Sequence, residues 1–226
     1  NNELIVEVTR GNLIESRHRG HCVVSDRTGK LTHTWGDSAR VIYPRSAIKP
    51  LQALALIETG AANAFQIKAT ELALATASHS ATKTHVDAIS DWLNRIGLSP
   101  LDLECAGHNP LSRSADIELV QNKTAPSAIH NNCSGKHLGM LSLAKKLCTD
   151  PAGYTQIDHP VQQIIFKQLT KLTGHNNLPM GIDGCSAPTP FLSLQSIARL
   201  FQALGSGKYP ELETAYRSMV KHPYLI

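Results

Sequence analysis

The 226-residue sequence predicts an α+β fold in which antiparallel strands come first and a helix-rich region follows. Up to residue 44, short alternating segments are separated by turn residues, which is typical of a β-meander. From residue 45 onward, apolar side chains recur at helical spacing in one segment after another. Because strands and helices are segregated along the chain, the pattern favours α+β over a βαβ alternation.

The strand region is predicted to contain strands within 3–8, 13–25, 30–35 and 41–43. The run Ser25-Asp26-Arg27-Thr28-Gly29 indicates a turn between the second and third of them. Pro44 ends the last one, since proline lacks the N–H that a strand ladder uses.

The helix-rich region is predicted to contain helices at 47–59, 69–77, 84–96, 134–147, 158–172, 190–204 and 210–220. Gly60 and Gly97 end the first and the third of them, and Pro50 and Pro160 fall in first turns, where proline is tolerated. Residues 180–184 predict a change from strand to loop.

We interpret residues 1–226 as one domain, with sheet strands in 1–44 and any functional site expected in the helix-rich part, 45–226. The chain ends in apolar Tyr224-Leu225-Ile226, whereas most domains end in polar residues. We therefore expect a domain that is incomplete at its C-terminus.

Composition excludes several classes of protein. The net charge is +4 and no run of Lys or Arg exceeds two residues, which argues against a nucleic-acid-binding protein. No apolar stretch reaches the ~18 residues that cross a bilayer. Five scattered cysteines without a CxxC pair predict reduced thiols in a cytoplasmic protein.

The segment Tyr-Pro-Arg-Ser-Ala-Ile-Lys-Pro (43–50) carries a candidate nucleophile, Ser46, three residues before Lys49. A desolvated, neutral lysine can take the proton of a serine hydroxyl. Free N–H groups at a helix N-terminus can hold an oxyanion. The S-x-x-K pattern occurs four times in the chain, so the alternative to a nucleophile is a helix-capping serine beside a solvated lysine. Of the four serines, only Ser46 follows a strand and a proline and opens an apolar helix.

Three further segments concentrate polar or reactive side chains. Ser78, in Ala77-Ser78-His79-Ser80, is either a helix cap or a second hydroxyl that relays a proton to or from Ser46. Residues 130–137 and 181–188 place Cys133 and Cys185 beside other polar groups. Thiolates favour zinc, but the spacing is also compatible with buried, inert thiols.

Together the motifs Tyr-Pro-Arg-Ser-Ala-Ile-Lys-Pro (43–50), Asn-Asn-Cys-Ser-Gly-Lys-His (131–137) and Gly-Ile-Asp-Gly-Cys-Ser-Ala-Pro (181–188) resemble the asparaginase II family, the rhizobial-type L-asparaginases. Residues 77–80 and 107–110 support the resemblance. It implies a fold similar to serine β-lactamases and glutaminases, hydrolysis of L-asparagine to L-aspartate and ammonia, a homodimer, and zinc near the site.

By motif position, the resemblance implies the roles of individual residues. The catalytic residues would be Ser46, Lys49 and Ser78, and the zinc ligands would be Cys133, Lys136 and Cys185. The residues expected to bind substrate are Arg45, His79, Asn132 and Asp183. Charge complementarity suggests Arg45 for the α-carboxylate of asparagine and Asp183 for its α-ammonium group.

Two alternatives stay open at this point. One is another serine amidohydrolase of β-lactamase or esterase type, which would use the same S-x-x-K pair on a different acyl group. The other is a non-catalytic module that binds zinc or an amino acid, in which the serines are ordinary helix caps. No Lys-Thr-Gly segment of the β-lactamase kind is present in the sequence.

Overall fold

Two antiparallel hairpins begin the chain in the computed structural model, which describes residues 3–226. β1 (Glu3–Arg10) pairs with β2 (Leu13–Gly20), and β3 (Cys22–Ser25) pairs with β4 (Leu31–Trp35). The predicted strands are confirmed. The predicted meander is wrong, because within the described chain no ladder joins β2 to β3.

Two further short sheets join distant parts of the sequence. β5 (Val41–Ile42) pairs with β8 (Leu192–Ser193), and β6 (Met180–Ile182) pairs with β7 (Pro188–Pro190), both antiparallel. The β5–β8 pairing brings the segment that begins at Tyr43 beside the hairpin formed by β6 and β7. The change from strand to loop predicted at 180–184 is confirmed, since β6 ends at Ile182.

Helices form the rest of the described chain, apart from four short 3-10 turns and the connecting loops. Their bounds are α1 (Lys49–Gln52), α2 (Leu54–Glu58), α3 (Ala61–Ala64), α4 (Ala69–Thr76), α5 (Lys83–Arg95), α6 (Arg113–Gln121), α7 (Ser134–Lys146), α8 (Pro160–Thr173), α9 (Leu194–Gly205) and α10 (Pro210–Lys221). The α+β class is therefore confirmed.

Several helix boundaries differ from the predicted ones for local reasons. The predicted helix 47–59 is divided into a 3-10 turn at Arg45–Ile48, then α1 and α2. His159, whose ring nitrogen accepts the N–H of Val161, caps α8. Helix α9 begins only at Leu194, because the residues before it form β7 and β8. Helices α3 and α6 were not predicted: α3 is a single turn, and the apolar residues of α6 are mostly exposed.

The core is built around α7, which packs against α4, α2, α3, α5 and α8. Every residue of α7 from Ser134 to Ala144 is buried. Its first turn approaches α4 so closely that a Cβ on Gly135 would lie 2.3 Å from the carbonyl oxygen of Leu74. This glycine therefore sets the distance between the start of α7 and the end of α4.

Among the helices of residues 3–226, none combines the length and apolar character needed to span a bilayer.

We predict that Gly135→Ala destabilises the protein while Gly139→Ala, one turn further along α7, does not. The Cβ at 135 meets a backbone carbonyl, whereas at 139 the nearest atoms are side-chain carbons 3.7 Å away. Overpacking of this kind costs about 1–3 kcal/mol, and glycine-to-alanine at an open helical position gains up to ~1 kcal/mol. Urea unfolding of both variants measures the difference; equal midpoints would contradict the prediction.

Candidate active site

The Lys49 side chain lies in the interior, with only 1% of its surface exposed. Its Nζ donates to the carbonyl oxygen of Ala77 at 2.5 Å and to Ser78 Oγ at 2.8 Å. Burial is the main reason that the pKa of Lys49 is lowered, and the amine also contacts the Cys133 thiol. A lowered pKa favours the neutral amine, which is the form that can accept a proton.

Ser46 lies on the 3-10 turn that leads into Lys49, and it is half-buried. Within residues 3–226 the Ser46 hydroxyl makes no hydrogen bond. The hydroxyl that the Lys49 amine contacts is that of Ser78. The structure thus brings Lys49 and Ser78 together, and it places Ser46 three residues before Lys49 without a side-chain bond between the two. Ser78 itself is exposed, so its other face is open to solvent.

Arg45 and Asp183 form an ion pair beside Ser46, with Arg45 Nη2 3.1 Å and Nε 3.2 Å from Asp183 Oδ1. The Asp183 side chain is 9% exposed and the Arg45 side chain 69%. Arg45 has a φ of 50°, in the left-handed region that non-glycine residues seldom adopt. The two residues expected to bind opposite ends of the substrate therefore lie together and neutralise each other.

The loop at the tip of the β6–β7 hairpin carries both Asp183 and Cys185. Asp183 N–H donates to Ala187 O at 2.9 Å, and Gly184 N–H donates to Asp183 Oδ1 at 2.8 Å. The base of the hairpin rests on the Tyr43 ring, whose hydroxyl lies 2.2 Å from where a Cβ on Gly181 would be. The segment containing Arg45 and Ser46 and the hairpin are therefore held in one arrangement.

Cys133, Lys136 and Cys185, the predicted zinc ligands, form a buried cluster. Lys136 Nζ lies 3.0 Å from Cys185 Sγ. The pKa of Cys185 is lowered chiefly by a hydrogen bond from Cys133, and that bond, followed by burial, raises the pKa of Cys133. Because Lys49 also contacts Cys133, the cluster adjoins the amine.

The donors of this cluster fit a soft metal ion such as zinc, which binds thiolate and nitrogen ligands. In the described part of the chain, no three His, Cys, Asp or Glu side chains converge on one point, so a metal there depends on Lys136 as the third ligand. The buried His137 ring adjoins the cluster through Cys185, and its Nε2 has no hydrogen-bond partner in residues 3–226.

Asn132 and His79 are joined through their backbones, with His79 N–H donating to Asn132 O at 3.2 Å. The His79 ring is 1% exposed and bonds to Ser134, while Asn132 is half-buried and its N–H donates to His108 Nε2 at 3.0 Å. Asn132 therefore lies at the border of the site, and the His79 ring lies behind it.

The arrangement defines a class of site: serine hydroxyls beside a buried amine, next to an Arg–Asp pair that matches a zwitterion. Such a site can perform nucleophilic acyl transfer with lysine as the base. Comparison with known families then identifies the chain. The family described as L-asparaginase II matches residues 6–226, and this protein belongs to that family. Family membership indicates an asparaginase-type amidohydrolase. A search of curated proteins found no significant match.

The sequence analysis assigns no role to four residues that the structure places around the site. His108 contacts Asn132, and Tyr154 Oη lies 2.6 Å from His137 Nδ1. Ser134 and His137 lie inside the 131–137 motif, so their presence there was a usable signal. Nothing in the local sequence marks Tyr154, because its contacts come from distant residues.

Proposed function

We propose that this protein is an L-asparaginase that hydrolyses L-asparagine to L-aspartate and ammonia through an acyl-enzyme on Ser46. The observation that carries the proposal is the buried Lys49 amine, bonded to Ser78 and directly preceded by the turn that bears Ser46. Burying a charged amine is unfavourable unless it is paired, which favours a neutral amine at this depth.

The hydrogen bonds of Lys49 suit the role of base. The Ala77 carbonyl can only accept, so one N–H of the amine is committed to it. When the amine is neutral, its lone pair can accept the proton of the Ser78 hydroxyl, which lies 2.8 Å away. Ser78 can in turn accept the proton that Ser46 gives up. This path is a proposal, and it explains why two serines and one lysine are needed.

In the first step, Ser46 Oγ attacks the side-chain amide carbon of asparagine, and its proton passes towards Lys49. The C–N bond then breaks, the protonated lysine returns a proton to the leaving nitrogen, and ammonia departs. Water, deprotonated by the same amine, hydrolyses the β-aspartyl ester and frees Ser46. Backbone N–H groups at the Ser46 turn are candidates for holding the oxyanion, a contribution of about 10²–10³ in rate for each donor.

Substrate orientation follows from the Arg45–Asp183 pair. The α-carboxylate of asparagine pairs with the Arg45 guanidinium, and its α-ammonium group pairs with Asp183, so the zwitterion takes the place of the existing ion pair. We propose that Asn132, at the border of the site, contacts the amide. The partner is thus a small molecule, and we propose no nucleic-acid or membrane partner.

The proposal extends to zinc held by Cys133, Lys136 and Cys185. Lys136 must be neutral to act as a ligand. A bound zinc ion supplies Lewis acidity and fixed positive charge near the site. The chain's own residues provide the nucleophile and the base. The serine β-lactamase-like fold and the homodimer also belong to the proposal and rest on the family resemblance. The proposed cytoplasmic location rests on the scattered cysteines of the sequence.

We predict that the protein releases ammonia from L-asparagine and that Ser46→Ala lowers kcat by at least about 10³-fold, because the nucleophile is lost. Lys49→Met should lower kcat by about 10²–10⁴-fold. Lys145→Met is the matched control: this exposed lysine also belongs to an S-x-x-K pair, and kcat should not change.

Three outcomes would contradict this assignment in different ways. Ammonia release that survives Ser46→Ala but not Ser78→Ala would move the nucleophile to Ser78. Hydrolysis of a chromogenic β-lactam without ammonia release from asparagine would favour the β-lactamase-type alternative. Zinc binding without turnover of either compound would favour a non-catalytic module.

We further predict that Arg45→Gln raises KM for L-asparagine by about 10–150-fold, because one charge-assisted hydrogen-bond partner is removed. Wild-type protein should use succinamate, which lacks the α-ammonium group, poorly, and Asp183→Asn should reduce its preference for asparagine over succinamate. Arg17→Gln, which removes another exposed ion pair, is the control and leaves KM unchanged. An unchanged KM in Arg45→Gln would contradict the assigned role.

For zinc, we predict one ion per chain after dialysis against dilute zinc, measured by elemental analysis. Cys133→Ser and Cys185→Ser should abolish this binding, and Lys136→Met should weaken it, since the proposed set uses Lys136 as its third ligand. Cys148→Ser removes an exposed thiol and should bind zinc like the wild type. Equal zinc binding by all four variants would show that the ion lies outside this cluster and would contradict the proposal.

A further inference from the structure

The loop that carries Ser78 lies between the end of α4 and the start of α5 and has no regular secondary structure. Ala81, within it, has a φ of 56°, in the left-handed region. A loop in this conformation keeps its shape only when contacts with the surrounding structure determine it. Several of the contacts that hold this loop are made by one residue, His79.

The His79 ring is committed to hydrogen bonds at both nitrogens. Its Nδ1 accepts the N–H of Ala81 at 3.1 Å, and its Nε2 lies 2.8 Å from Ser134 Oγ. Because a backbone N–H can only donate, Nδ1 is the acceptor and the neutral ring carries its proton on Nε2. The ring therefore donates to Ser134, whose hydroxyl donates to Ile129 O at 3.1 Å.

Two further contacts hold the same residue. His79 N–H donates to Asn132 O at 3.2 Å, so backbone and side chain are both attached to the stretch 129–134. The ring also stacks on His85, with centroids 5.2 Å apart and planes 15° apart. Burial lowers the pKa of His79 to about 3, so the ring stays neutral around neutral pH.

The Ser78 backbone is therefore held on both sides. On one side, Lys49 bonds to the Ala77 carbonyl; on the other, His79 ties the chain to the start of α7. We propose that His79 is a positioning residue, which holds Ser78 Oγ against the Lys49 amine by joining the Ser78 loop to Ser134. This inference rests on the proposed function for the role of Ser78, but the geometry it describes can be tested without any activity.

This role differs from the substrate contact that the resemblance implied for His79. Both ring nitrogens are occupied and the ring is buried, so substrate could bind to it only by breaking these bonds. Loss of a substrate contact raises KM, whereas loss of the alignment between Ser78 and Lys49 lowers kcat. The two roles are therefore distinguishable by steady-state kinetics.

Two conservative variants separate the two hydrogen bonds of the ring. The amide of His79→Asn reaches the position of Nδ1 and can still accept the Ala81 N–H, but it cannot reach Ser134. The amide of His79→Gln reaches the position of Nε2 and keeps the donation to Ser134. We expect His79→Asn to lower kcat by about 10²-fold, the effect of a misplacement of about 1 Å, with KM within about twofold of wild type. His79→Gln should recover most of the loss.

Ser134→Ala removes the other end of the same bond. If the hydrogen bond between His79 and Ser134 acts as proposed, similar kcat values are expected for three variants: His79→Asn, Ser134→Ala and the double variant. The reason is that either single change already removes this bond, so the second change has no further effect on it. Losses that multiply in the double variant would overturn the proposal, and so would a raised KM with unchanged kcat in His79→Asn.

His159→Asn is the matched control. Like His79, His159 accepts the N–H of the residue two positions on, here Val161 at 3.2 Å, but it caps α8. The His159→Asn variant should leave kcat unchanged.

A crystal structure of His79→Asn supplies the readout that does not depend on catalysis: Ser78 Oγ should move out of hydrogen-bonding distance of Lys49 Nζ. If Ser78 stays in place, the positioning role is wrong. If Ser78 moves but wild-type protein releases no ammonia, the proposed function fails and the positioning role stands.

Discussion

The buried amine of Lys49 is the constraint from which the arrangement of the site follows. An interior polar group left without a partner costs about 1–3 kcal/mol, and in this protein the Ala77 carbonyl is the partner. That carbonyl is free because α4 ends at Thr76 and the backbone at Ala77 is extended, with φ −89° and ψ 161°. The end of α4 and the start of the Ser78 loop thus depend on the same hydrogen bond.

Close approach of backbones places the remaining parts of the site. Gly135 allows the first turn of α7 to lie against Leu74, near the end of α4, and Gly181 allows the β6–β7 hairpin to lie against Tyr43. Each of these glycines belongs to a motif that also carries a candidate zinc ligand. Side chains at either position would push apart Lys49, Lys136 and Cys185, so the packing and the chemistry of the site share the same residues.

The sequence was a good guide where the physical signal is local. The strands before residue 44, most of the long helices and the change from strand to loop near residue 181 follow from periodicity, proline and glycine. The sequence could not show that β5 pairs with β8, because that contact joins residues about 150 positions apart. It also could not show where β2 stops pairing, since alternation continues past Gly20.

The same distinction applies to the site. The motifs identified the residues that the structure brings together, including Lys136 with Cys185 and Arg45 with Asp183. Spacing of i and i+3 pointed from Lys49 to Ser46, whereas the hydrogen bond of the amine goes to Ser78, 29 residues away. The position of the His79 ring depends on Ser134, 55 residues away, and no local pattern could predict that it faces inward.

The adjacency of Arg45 and Ser46 has a consequence for the choice between asparagine and glutamine. If Arg45 binds the α-carboxylate and Ser46 attacks the amide, the two groups that measure the substrate's length are neighbours in the chain, and Arg45 is further held by Asp183. Glutamine has one more methylene between those two ends. A hydrophobic pocket distinguishes one methylene by about 1–3 kcal/mol. The fixed distance between Arg45 and Ser46 increases this discrimination. A longer substrate must either move its amide carbon away from the Ser46 hydroxyl or lose its bond to Arg45. In this proposed arrangement, the selectivity for asparagine over glutamine arises from the position of Arg45 next to Ser46 in the chain as much as from the shape of the pocket.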